Sequence, residues 1–464
     1  MHAPSLKLNP TEAAFALFVG LSLGLDIPAA KAYNDHTAWT EMVGRFLFHG
    51  CKELFNVPIP FTPFEVITYG SVGILFLHFG WQRARYWLNL IFLSLLLPSA
   101  CAFAAITGWM RGNSLPLAMT QLHFIPMLTA WMCLGYFVGT RPLLHARLCR
   151  ILFWVCVWRS LYALFVFLVP YHGSMQDYEY LIDHSASIFL ATGMAYGGVQ
   201  MWFQRRHKLR VLGYAAAVGL MSMTHLLNDR RASLAGLSAA VLILPWIMSD
   251  RLRRAILRPY KMGMGFAIVA LVFASLKNND QYSFVGALQT ETLGAKALTY
   301  RHIENFNLLS GMIEQPLLGM GFGTRFPHIL ELPDITFAFE LFDAIPHNSV
   351  YFLWAFGGPL GIASLMTLSC GLLCIITRVG RAARYKSELL VAIIGLVVTC
   401  QWLMYVLFDM GLLDSRCLMM IGLFAGSLFP LYGRLLLEHR HGKIQKHRAR
   451  RTVPPPPQRL HQPL

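Results

Sequence analysis

Apolar residues in this chain come in long unbroken runs rather than in the short alternations of a half-buried strand. Runs near twenty residues, enough to cross a hydrocarbon core of about 30 Å, lie at 13–25, 61–80, 88–107, 121–138, 151–169, 184–203, 211–227, 232–249, 262–276, 347–377, 388–408 and 417–438. The pattern predicts an all-α, polytopic integral membrane protein with about twelve transmembrane helices; the first and ninth runs are the shortest. One long polar segment, 277–346, interrupts it. The chain therefore divides into an N-terminal bundle of nine spans (1–276), a large loop with amphipathic helices (277–346), three C-terminal spans (347–438) and a basic, proline-rich tail (439–464).

Composition agrees with the pattern. At 464 residues, 56% hydrophobic and 13% charged, the chain is too apolar for a soluble globular protein of its length. Lys and Arg then orient it, because loops rich in them stay on the cytoplasmic side. With the N-terminus inside, the inner segments hold 27 Lys and Arg and the outer ones 11, while Arg159 lies within a span. This places 277–346 on the side of the membrane away from the cytoplasm. The net charge of +16 is then largely the anchoring of cytoplasmic loops beside anionic membrane lipids, and no nucleic acid is implied. The tail from Glu438, with Arg450-Arg451 before Pro454–Pro457, reads as disordered and lipid-associated.

Nine cysteines lie almost wholly in predicted spans; Cys51 alone falls clearly in an outer loop, so no disulfide framework is expected. Cys370 and Cys374 stand one helical turn apart and read as packing. No Cys/His set has zinc spacing, His439 and His441 form only a pair in the tail, and neither metal nor cofactor is expected. Ala30-Lys31-Ala32 follows the first run and resembles a cleavage site, whose use would remove the first span.

The candidate chemistry lies at the outer face. Asn228-Asp229-Arg230-Arg231 joins two spans on the side where arginine is under-represented. The pair reads either as interface anchors or as an anion clamp, since guanidinium forks match phosphate oxygens and stay charged. Arg301 begins a stretch, with Phe306, Leu308, Leu309, Met312 and Ile313, that reads as an interfacial amphipathic helix. Gly319-Met320-Gly321-Phe322-Gly323 lacks the Lys and Ser/Thr of a nucleotide loop and reads as a turn positioning Arg325. His347 follows Pro346 at a helix start, where Asn348 or Ser349 can cap and where the positive helix end disfavours an imidazolium. Such a ring can serve as a proton acceptor. Gly357-Gly358-Pro359 then breaks the helix, as happens where membrane helices line a site.

In this order the segments resemble the O-antigen ligase and O-antigen polymerase superfamily of bacterial polysaccharide assembly. Arg230-Arg231-Ala232-Ser233-Leu234 is similar to the family's Ser-Arg-Gly motif, with Asp-Arg-Arg-Ala in place of the usual residues. Tyr300-Arg301 through Pro316-Leu317-Leu318-Gly319-Met320-Gly321 is similar to its Arg, then Pro-Leu-Leu-Gly-x-Gly, pattern. Pro346-His347-Asn348 with Gly357-Gly358-Pro359-Leu360-Gly361 resembles its His-Asn helix. The likeness covers residues 211–375 in motifs and the rest in topology.

The resemblance implies a metal-independent glycosyltransferase. Its donor would be a polyprenyl-diphosphate-linked glycan and its acceptor a lipid A-core sugar or a growing glycan. The implied catalytic residues are His347 as general base and Arg301 and Arg231 as stabilisers of the diphosphate leaving group; Arg230, Arg325, Asn348 and Arg159 are expected to contact substrate. Of the arginine pair, Arg231 is favoured because Ala-Ser-Leu follows it. Asp177-Tyr178-Glu179 is a poor substitute for an Asp-x-Asp metal motif, and Asp409 and Asp414 are candidates to orient Arg or His, or are solvated loop acids. The dominant outer loop favours ligation over polymerisation. A secondary transporter, the reading from another class, would need ionisable residues at the midplane and repeated broken helices; Arg159 is the main buried charge and no repeat is visible.

Overall fold

The computed structural model describes residues 10–24, 46–47, 61–79, 88–169, 184–228, 231–249, 253, 297–332 and 341–452, and every regular element among them is a helix. In order these are α1 (Pro10–Gly24), α2 (Pro63–Phe79), α3 (Leu88–Met110), α4 (Leu115–Leu122), α5 (Phe124–Thr140), α6 (Pro142–Leu168), α7 (His184–Phe203), α8 (Lys208–Leu227), α9 (Arg231–Ile247), α10 (Ala297–Glu314), α11 (Ser349–Ala382), α12 (Lys386–Phe408) and α13 (Ser415–Thr452). Helices occupy each apolar stretch of the sequence except the ninth, 262–276, which lies outside the described residues. Among the described residues, five helical stretches are long and apolar enough to cross a membrane: Leu115–Thr140, Pro142–Phe165, Ser349–Ala382, Lys386–Phe408 and Ser415–Glu438. Large apolar side chains such as Trp109, Trp154, Leu161 and Trp246 point outward, the arrangement that suits a helical protein solvated by lipid.

Three boundaries differ most from the sequence reading, one of them the start of α6, which lies at Pro142 rather than near residue 151. The fourth run begins earlier, at Leu115, and turns at His123 between α4 and α5. The tail is not wholly irregular, because α13 continues past Glu438 to Thr452. Its Arg, Lys, Gln and Glu residues are good helix formers, and the first proline comes at Pro454.

The core forms around α12, apolar on all sides and buried continuously from Glu388 to Trp402, as a helix with no polar stripe must be. Against it α9 runs antiparallel. Near one end Ser233 Oγ donates to Gln401 Oε1 at 2.8 Å and Gln401 Nε2 donates back to the Ser233 carbonyl at 2.8 Å. Near the other, a Cβ on Gly380 of α11 would meet the Ile247 carbonyl at 2.4 Å. Helices α5 and α13 touch backbone to backbone: a Cβ on Gly135 would stand 2.4 Å from the Leu423 carbonyl. Small residues permit this approach, which supplies dispersion where lipid offers no hydrophobic drive.

These contacts sort the loops into two ends. Residues 61–62, 115–126, 341–347 and 405–417 meet at one end. Residues 202–207 and 383–389 meet at the other, as do Thr140, Pro142, Glu388 and Arg434. The grouping is the one that the Lys and Arg alternation predicts for the two sides.

Helix α11 is broken where the sequence places the break, with Gly358 at φ 61° and ψ −166°. Pro359 has no N–H, so carbonyls before the kink lose helical donors. The glycine-rich turn replaces them: Met320 N–H donates to Ala355 O at 2.7 Å and Gly321 N–H to Phe356 O at 3.0 Å. Gly319, at φ 67°, approaches so closely that a Cβ there would lie 2.6 Å from Gly358 N. From behind, Asn113 Nδ2 donates to the Met320 and Phe322 carbonyls at 3.2 Å, and Arg111 Nη1 to Gly319 O at 2.7 Å. The turn thus closes the broken helix and holds the end of the bundle on which His347 stands.

Candidate functional site

His347 is fixed from two sides. Asn348 is the N-cap of α11, its side-chain oxygen accepting the N–H groups of Val350 and Tyr351 at 3.1 Å each. Ser349 Oγ donates to the Asp409 carbonyl at 3.0 Å and accepts from Leu412 N at 3.3 Å, which ties the helix start to the α12–α13 loop.

The second support comes from α10. Glu304, fully buried, accepts the backbone N–H of His347 at 3.1 Å through Oε2, and its Oε1 lies 3.1 Å from ring Nδ1. A carboxylate on Nδ1 fixes the tautomer with the proton there, leaving Nε2 as the acceptor, and stabilises the ring when it charges. Tyr300, one turn earlier on α10, meets the His347 ring edge-on at 5.5 Å between centroids. Burial first, then the Glu304 and Asp343 carboxylates, push its hydroxyl well above the ordinary tyrosine range, so the phenol stays protonated. Its oxygen is buried without a hydrogen-bond partner among the described residues, which makes it a donor available to a bound group.

His347 lines a cavity of about 1120 Å³. Its walls are largely apolar, with Met119, Leu122, Ile345 and Leu413 among them, and the polar residues around it are few: Thr62, Thr120, His123, Asp409 and Asp414. His123, which also lines the cavity, makes a second carboxylate–imidazole contact, its Nε2 with Glu65 Oε1. Glu65 is itself held by Thr62 N–H at 2.8 Å in a reciprocal cap of α2.

Arg301 projects from the exposed side of α10, and its Nη1 donates to the Phe408 carbonyl at 3.4 Å, one residue before the cavity-lining Asp409. The guanidinium is therefore at the cavity's edge rather than in its wall. Helix α10 is not the simple amphipathic element of the sequence pattern. Leu308 and Met312 are buried, but so are the polar Glu304 and Asn307, whereas Phe306, Leu309 and Ile313 are exposed. Glu304 grips His347, and Asn307 exchanges hydrogen bonds with the backbone of Leu330 at 2.8 and 2.9 Å.

Arg231 opens α9, whose first turns lie against Gln401, about two turns before Phe408 on α12. Its backbone is at the same end of the bundle as His347. Its side chain, and all of Asp229 and Arg230, fall outside the described residues. Arg325 is two residues past the glycine turn and is gripped by Asp343, its Nη1 donating to both carboxylate oxygens; it does not line the cavity. Arg159 is buried within α6, donating to the Leu23 carbonyl at 3.0 Å with its guanidinium 5.4 Å from the Phe189 ring centre, and it too is away from the cavity wall. Asp409 and Asp414 do line the cavity; Asp414 Oδ1 accepts from Arg416 N and Cys417 N at 2.9 and 2.8 Å, capping α13. Among the described residues no three His, Cys, Asp or Glu side chains converge as a metal site would need.

Sequence reasoning missed Glu304, Tyr300 and the Glu65–His123 pair. The only local signal was a carboxylate three residues after Arg301, which reads as an ordinary helix surface acid until the fold buries it. No protein-family model and no curated protein matches the chain.

Proposed function

We propose that the protein is a membrane glycosyltransferase that moves a glycan from a polyprenyl diphosphate donor to an acceptor sugar hydroxyl at the periplasmic face of the inner membrane. The observation that carries this reading is the Glu304–His347 pair opening on a wide, apolar cavity with Arg301 at its edge. An apolar space suits a lipid-linked substrate, the oriented imidazole suits removal of a hydroxyl proton, and the guanidinium suits a departing diphosphate. The motif resemblance of residues 211–375 supports the same chemistry.

In the proposed reaction Nε2 of His347 takes the acceptor hydroxyl proton as that oxygen bonds to the anomeric carbon. The bond from this carbon to the donor's phosphate oxygen breaks, and the negative charge passes to the polyprenyl diphosphate. Arg301 and Arg231 stabilise that charge, while Glu304 holds Nδ1–H and balances the imidazolium until the proton leaves. The most specific form of the proposal is O-antigen ligation to lipid A-core. A strain lacking the gene should show lipopolysaccharide without polymer on the core, with undecaprenyl-linked polymer accumulating. One repeat left on the core would mean polymerisation instead, and an unchanged gel pattern would sink both.

A further inference from the structure

At the end of the bundle opposite His347, about 50 Å away along the 34 residues of α11, lies a second cavity of about 740 Å³. Its charge is one-sided. Arg205, Arg206 and His207 line it from the α7–α8 turn, and Arg384 and Lys386 from the α11–α12 turn; no carboxylate is among the described lining residues.

Arg205 and Arg206 are exposed and have no hydrogen bond or ion pair among the described residues. Arg384 holds an exposed pair with Glu438 at 3.2 Å. Glu388, buried beneath this turn and not among the lining residues, is bonded to Arg434 and accepts the backbone N–H groups of Arg384 at 2.9 Å and Tyr385 at 3.4 Å. Two further features complete an anion site. Helix α8 begins at this cavity, and its N-cap, His207, makes no side-chain capping bond, so first-turn N–H groups add to the positive field. Trp202, Phe203 and Tyr385 supply an aromatic rim of the kind that sits at the membrane–water boundary. Lys386 joins the walls, its Nζ lying 5.2 Å from the Phe203 ring centre and 3.5 Å from the Phe203 carbonyl.

We propose that this cavity binds the phosphodiester headgroup of an anionic membrane phospholipid, with the two cationic walls best matched to a lipid bearing two phosphates. Arginine forks suit phosphate oxygens, and basic pockets between membrane helices are sites where such headgroups concentrate. The site stands apart from the glycan reading and does not depend on it.

The test uses the delipidated full-length protein in detergent and native mass spectrometry, with tetraoleoyl-diphosphatidylglycerol, dioleoyl-phosphatidylglycerol and sodium diphosphate as probes. The two-phosphate lipid should be held at least about tenfold more tightly than the one-phosphate lipid. Arg205→Gln with Arg206→Gln should lower its retention by about tenfold, whereas Lys208→Gln with Arg210→Gln, removing equal charge from the same end outside the cavity, should not. If the arginine double variant fails to stay monodisperse, Lys386→Gln is read in its place. Equal retention by the wild type and the cavity variant, or equal loss in the control, overturns the site. Equal binding of the two lipids overturns the two-phosphate match, and displacement of lipid by equimolar sodium diphosphate would make a soluble anion the ligand.

Discussion

Glu304 and His347, separated by 43 positions in the chain, meet twice: the carboxylate accepts the histidine's backbone N–H and also faces its ring nitrogen Nδ1, each at 3.1 Å. The double contact fixes both where the ring stands and which nitrogen carries the proton. It also explains why a glutamate sits fully buried on α10, since a buried carboxylate is tolerated when its oxygens are matched by donors.

The first prediction concerns that contact. Glu304→Gln can still accept the backbone N–H, but its amide NH₂ then faces Nδ1 and favours the tautomer with the proton on Nε2, which cannot accept another. Transfer should fall on the order of 10²- to 10⁴-fold, as for His347→Ala, with donor binding nearly unchanged. The double variant should be little worse than either single one, because the two residues act as a unit. Losses that multiply in the double variant would show that Glu304 is only a structural support.

The arginines should behave differently. A guanidinium fork cannot be replaced by a point charge, so Arg301→Lys and Arg231→Lys should each lose roughly 10²- to 10³-fold of transfer while the protein stays inserted in the membrane. Transfer that persists at wild-type rate in Arg301→Lys would remove Arg301 from leaving-group stabilisation, in keeping with a role limited to its bond with the Phe408 carbonyl.

Sidedness is checked without any substrate. Reporters active only in the periplasm should be active when fused after residue 320 and silent after residue 206, following the 27 to 11 distribution of Lys and Arg. The reverse pattern would place His347 in the cytoplasm and end the proposed reaction.

The glycine turn gives a stability prediction. Gly319→Ala puts a Cβ 2.6 Å from backbone atoms at φ 67°, a strain on the order of 1–3 kcal/mol before any clash is relieved. Thermal unfolding in detergent should shift clearly downward, and transfer should drop because the turn supports α11 behind His347. Unchanged melting would mean that the turn does not hold the broken helix.

The sequence by itself determined the helical membrane class, most of the stretches that become helices, a cap at Asn348 or Ser349 and a break within Gly357-Gly358-Pro359. Each is a local property: apolar run length, a side chain that reaches its own backbone, a residue free to adopt positive φ beside a proline without N–H. It could also nominate His347 and Arg301, because an ionisable group beside an apolar run is costly wherever it lies. Only the tertiary structure decided what these residues touch. Glu304 reads as a surface acid of an amphipathic helix, and the packing of α10 on α11 turned that face inward; Arg325 reads as a substrate contact, and the fold gave it Asp343. Arg159 is a lone buried charge in the sequence and acquires a carbonyl from α1 and the face of Phe189. The reason is common to all three. Helical periodicity says which residues share a face, whereas the partner of that face comes from segments tens or hundreds of positions away, brought near by backbone approaches that glycines such as Gly135 and Gly319 permit.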